Sequence, residues 1–170
     1  VKELISAGMW NSISRLSQVL SDGLDLVITN IWISAYLMGE LSIAQQIPTY
    51  ISTLTNTLIN LFSPNLTMYY AKDDTEAVVK ELKLSMKFSS FFVNIIFCIL
   101  VIFGKYFMQL WVPNQDVNLI YSLLVVIMMS LLVSGVTTSL NNVFLVTNRL
   151  KVNSIFWLII SFTNVLLVFI

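Results

Sequence analysis

Six polar side chains, Asn11, Arg15, Gln18, Asp22, Asp25 and Thr29, recur at alternating steps of four and three residues in an otherwise apolar stretch. At about 100° per residue they share one side of a helix, while Ile13, Leu16, Leu20, Leu24 and Ile31 take the other. Arg15 offers a fork of donors that stays charged. It stands seven residues from Asp22, about 10.5 Å along the axis, so the two share a face without touching. Asp22 and Asp25 are i, i+3 neighbours. In a low-dielectric setting their mutual repulsion is expected to favour a cation shared between them, which makes the pair candidates for proton or sodium coupling. A charged side chain at mid-membrane costs roughly 2.5–3.5 kcal/mol on insertion scales unless water or a partner meets it. A water-filled cavity meets that cost for the whole stripe at once, and a dry buried ion-pair network is the alternative.

A second stripe carries no charge. Gln45, Thr49, Ser52, Thr53, Asn56, Asn60, Ser63 and Thr67 share a face, with Ile47, Ile51, Leu54, Leu58 and Leu61 opposite. A weaker one comprises Ser130, Ser134, Thr137, Thr138 and Asn141. Amides and hydroxyls donate and accept alike, so such faces suit a water-filled cavity. The same residues also glue helices together in membranes, and for the third stripe the two readings weigh equally. The segment between the second and third stripes has only Ser89, Ser90 and Asn94 among Phe and Ile, and is expected to face lipid over most of its girth.

These side chains need elements that hold them in a membrane. Of 170 residues, 57% are hydrophobic and 11% charged, against about a quarter charged in a soluble domain. Uncharged runs at 41–71, 88–104, 117–148 and 152–170 approach or exceed the roughly 20 residues that span a bilayer. Net charge zero, no histidine and a lone Cys98 weigh against nucleic-acid binding, a disulfide framework and a zinc site. The expected fold is all-α, a polytopic transmembrane bundle of five helices at approximately 4–34, 41–71, 77–104, 118–147 and 151–170. The chain opens on Val1 and stops at Ile170 inside an apolar segment, and is expected to be a piece of a longer protein.

Basic residues alternate with the spans. Lys2, the four lysines of the 72–87 connection and the Arg149–Lys151 turn are expected on the cytoplasmic side, with Glu40, in a loop at 35–40, and Asp116 outside. Asp73 followed three residues later by Glu76 reads as a capping box. That acidic run does not make a cation cage, because lysines follow and no further carboxylates join it. Pro48 and Pro64 sit near the two ends of the second helix and either bend it or mark its ends. Trp111, before Pro113, reads as an interfacial anchor. The sequon Asn65-Leu66-Thr67 lies at a cytoplasmic helix end, where glycosylation is not expected, and Cys98 reads as a packing residue.

Several strings together resemble a known family: Gly8-Met9-Trp10-Asn11-Ser12, Gly23-Leu24-Asp25-Leu26, Met38-Gly39, Phe62-Ser63-Pro64, Tyr70-Ala71-Lys72, Ser85-Met86-Lys87, Leu110-Trp111-Val112-Pro113 and the run from Thr147 to Asn153. In their order and spacing they resemble the lipid-linked oligosaccharide flippases of O-antigen and capsule synthesis, the Wzx-like branch of the MATE-related exporter superfamily, at the start of the C-terminal lobe. The resemblance implies a single partial lobe over 1–170, a missing N-terminal lobe as its partner, and a multi-pass protein of the cytoplasmic membrane. It further implies transport of undecaprenyl-diphosphate-linked oligosaccharide without ATP hydrolysis, by alternating access and without a cofactor or metal. The residues expected to line the cavity and bind substrate are then Arg15, Asn11, Gln18, Gln45, Asn56, Asn60 and Asn141, with Asp22 and Asp25 coupling transport to a proton or sodium. No string carries a signature for particular sugars. Two alternatives stay open: a cation-coupled multidrug exporter of the same superfamily, and a membrane-embedded glycosyltransferase or polymerase.

Overall fold

The computed structural model describes residues 2–147 and 150–168, and these form six α-helices with no strand among them. The first helix, α1 (Lys2–Ile28), runs into a π-helical turn at Thr29–Ile33, closed by a bond from the Ser34 amide to the Thr29 carbonyl. Ser34 is extended and its hydroxyl accepts from the Leu37 amide, so one residue both stops the first helix and caps α2 (Ala35–Asn60). The loop expected at 35–40 is therefore helix. The helix expected over 41–71 is two helices. Pro64 has no N–H and its ring excludes the carbonyl four residues back, so the chain breaks at Leu61–Phe62 and Pro64 starts α3 (Ser63–Ala71). Pro48 stays inside α2, buried next to the fully buried Ala44.

The turn out of α3 carries Asp73 at φ 54, with the Asp74 amide bonded to the Tyr69 carbonyl and the Asp73 amide to that of Tyr70. This is a Schellman ending with aspartate in the left-handed position. It shifts the expected cap by one residue: Asp74, not Asp73, accepts from the Ala77 amide at 2.9 Å and opens α4 (Thr75–Trp111). Asp116 likewise caps α5 (Val117–Val146) through the amides of Asn118 and Leu119, and α6 covers Leu150–Val168.

Helices α2, α4 and α5 enclose the core, built from Ala44, Ile51, Met108, Ile120, Leu124 and Met128. Small residues bring α4 and α5 together, as they do where lipid gives no hydrophobic drive between helices. A Cβ on Gly135 would lie 3.0 Å from a Val93 methyl, and one on Gly104 would lie 3.2 Å from the Tyr121 ring. Ser85 and Ser139 bond to each other at 3.1 Å in the buried seam. Helix α1 pairs with α6 through Ser154 donating to the Trp10 carbonyl and Ser161 to that of Ser17, and touches the trio only thinly.

The surface is compatible with a membrane setting. The chain exposes 11169 Å², against roughly 8,500 Å² for a compact soluble chain of its mass. Both α4 and α5 are long and apolar enough to cross a membrane, yet only 11% and 22% of their most apolar stretches are buried. A soluble protein buries such helices, whereas here their hydrocarbon faces outward.

Candidate functional site

Helix α2 has three faces where the sequence suggests two. Glu40, Ala44, Pro48, Ile51, Thr55 and Ile59 recur every three to four residues and are buried against α4 and α5. Leu54 and Leu61 lie on an apolar flank, 54% and 69% exposed. The remaining flank carries the expected polar stripe: Thr49, Thr53, Asn56 and Asn60 are exposed, while Gln45 and Ser52 are half-buried. Helix α5 has a matching flank with Ser130 and Thr137 exposed and Asn141 half-buried. The two flanks join, because Ser52, Thr55 and Asn56 of α2 face Ser134 and Thr138 of α5 across a crevice floored by Val93 and Gly135. The crevice holds about 10 Å³, near the smallest space that accepts one water.

The hydrogen bonding of this face is asymmetric. Thr49, Thr53 and Thr57 donate to the carbonyls of Gln45, Thr49 and Thr53 at 2.8–2.9 Å, and Thr138 donates to that of Ser134 at 2.6 Å. With their protons used inside the helix, these hydroxyls present lone pairs outward. The Asn56 and Asn60 amides make no hydrogen bond among the described residues and keep both donors and acceptors free. Such a face can both donate and accept hydrogen bonds. The polar residues that do glue helices are different ones: Ser85 with Ser139, Ser154, Ser161, and Asn142, whose amide donates to the Ile59 carbonyl at 3.4 Å.

On α1, Asp25 is exposed and its carbonyl accepts from the Thr29 hydroxyl at 2.7 Å. The side chains of Asn11, Arg15, Gln18 and Asp22, all expected in the cavity, lie outside the described residues, as does Arg149. The structure therefore brings Asn56 together with Ser52, Ser134 and Thr138, and of the first stripe it places the side chains of Asp25 and Thr29.

Three side chains stand elsewhere than expected. Glu40, read as an outer-loop residue, is 1% exposed inside α2; its Oε1 accepts from the Asp116 amide at 3.3 Å, and its buried Oε2 has no hydrogen-bond partner among the described residues. The Tyr36 phenol is turned toward the same carboxylate. The signal was the spacing of Glu40 from Ala44, Pro48 and Ile51, which puts it on the buried face. Cys98, read as a packing residue, is exposed. Helix α4 is not merely lipid-facing: Ser89 is buried toward α5, while Ser90 and Asn94 join Lys87 in a surface groove. Trp111 ends α4, tilted on Phe107 at 5.7 Å, and the sequon residue Asn65 donates to Glu81 at 2.9 Å, tying α3 to α4.

No known family profile matches the chain, and no solved structure matches it. The sequence is 26% identical over 166 residues to the "Uncharacterized membrane protein EpsK" of Bacillus subtilis (strain 168). That alignment takes in 98% of this chain and 33% of EpsK, so the chain spans about a third of the length of the curated relative it matches.

Proposed function

We propose that the chain is part of a multi-pass transporter of the cytoplasmic membrane that flips undecaprenyl-diphosphate-linked oligosaccharide by alternating access, for polysaccharide biosynthesis. The observation that carries this reading is the polar flank shared by α2 and α5. It exposes amides and outward lone pairs, while the other flanks of the same helices expose hydrocarbon. Helices with one wet and one lipid flank line an aqueous route, and a route lined by neutral amides and hydroxyls matches a sugar headgroup. The likeness to EpsK over nearly the whole chain supports a membrane protein, and the flippase-like strings supply the substrate class.

Within this reading Arg15 receives the diphosphate from the cytoplasmic side, and the exposed Asp25 attracts a proton or sodium while repelling the anionic substrate. The missing lobe closes the other wall of the route. The test is translocation of lipid-linked oligosaccharide by the full-length protein in vesicles. Arg15→Ala is expected to weaken lipid binding, with Arg15→Lys restoring only part of it because the planar fork is lost. Asp25→Asn is expected to keep lipid binding and lose the dependence of transport on an ion gradient. Vesicles that move an organic cation but no lipid-linked sugar would instead establish a cation-coupled exporter, the reading that an exposed acid on α1 also fits.

A further inference from the structure

The groove on α4 offers chemistry opposite to that of the α2–α5 flank. It is lined by Met86, Lys87, Ser90, Phe91 and Asn94 of α4 with Val136 of α5, and measures about 480 Å³. Here the Asn94 amide donates to the Ser90 carbonyl at 2.8 Å and to the Ser90 hydroxyl oxygen at 3.3 Å. The Ser90 oxygen thus accepts a hydrogen bond, and its own O–H is left to donate outward. Lys87 adds an ammonium with no ion-pair partner among the described residues, so the groove presents donors and positive charge. Its position on α4 fixes its depth. The run between Lys87 and Lys105 is uncharged, and 18 steps of about 1.5 Å give roughly 27 Å, close to the hydrocarbon thickness of a bilayer. Lys87 therefore stands at one headgroup level and Lys105 at the other. Lys80 and Lys83 continue the Lys87 face beyond it toward the start of the helix.

We infer that the Lys87–Ser90–Asn94 groove holds the phosphate of an anionic phospholipid from the leaflet at the lysine-rich end of α4. Lys87 supplies the counter-charge, Ser90 a donor, and the deeper Phe91 and Val136 the apolar wall for the first acyl carbons. Depth and charge together select this occupant: a soluble anion gains nothing from the apolar wall, and a zwitterionic lipid gains less from the lysine. The inference stands on the groove alone and does not depend on what the protein transports.

The experiment is native mass spectrometry of the full-length protein released from nanodiscs of equal phosphatidylglycerol and phosphatidylcholine, counting the lipid retained. The unaltered protein is expected to retain phosphatidylglycerol in preference to phosphatidylcholine. Lys87→Gln is expected to lower that preference about fivefold, Lys87→Arg to keep it, and Lys105→Gln to leave it unchanged. Equal retention of the two lipids by the unaltered protein, an unchanged preference in Lys87→Gln, or the same loss in Lys105→Gln each overturns the inference. Because the readout needs no translocation, failure here leaves the transport reading untouched, and failure of transport leaves this result standing.

Discussion

Gly135 and Val93 set how closely α4 and α5 approach, and both floor the polar crevice. Replacing Gly135 by alanine places a methyl 3.0 Å from a Val93 methyl carbon, tighter than nearly all such contacts, at a position where Val93 is 1% exposed and must give by a few tenths of an ångström. Overpacking of this kind costs about 1–3 kcal/mol, against a gain of about 1 kcal/mol from alanine over glycine in a helix. The net effect in the unaltered background is thus between neutral and about 2 kcal/mol destabilising. In a Val93→Ala background the clash is gone and only the gain remains, so Gly135→Ala becomes stabilising by about 1 kcal/mol. The change of sign is the prediction, and it equals a coupling of roughly 1–3 kcal/mol between the two sites. Equilibrium unfolding of the full-length protein in mixed micelles, across the four members of the cycle, measures it. A coupling within about 0.5 kcal/mol of zero would refute the close packing of α4 on α5, and with it the width assigned to the crevice.

On the polar flank, with Cys98 first replaced by serine, single cysteines at Asn56 and Asn60 should react with a charged, membrane-impermeant thiol reagent in vesicles while one at Leu54 stays inert. Equal reaction of all three would mean that α2 has no lipid flank. At the end of α3, Asp73→Gly relieves a left-handed aspartate and is expected to stabilise by about 0.5–1 kcal/mol, read as a raised midpoint of thermal unfolding. A lowered midpoint would show that the aspartate carboxylate contributes more than its backbone strain removes.

The helices were legible because apolar runs bounded by charge are long, and α5 lies within a residue of its expected limits at both ends. Their joints were less so. Hydropathy treats Glu40 as a loop marker, but the start of α2 is set by the Ser34 hydroxyl, a local hydrogen bond to which hydropathy is blind. The polar stripes were legible as periodicity and illegible as roles. Ser89 and Ser90 are adjacent in sequence, yet a turn of about 100° points one at α5 and the other into the open groove. On α5, Ser139 meets Ser85 of the partner helix, while Thr138 spends its proton on its own helix and turns its lone pairs to the crevice. Which serine binds helices and which meets water is decided by the register of α4 against α5, and that register depends on Gly135 seating against Val93, residues 42 positions apart. A stripe along one helix says that polarity is being spent there; the neighbouring helix decides on what.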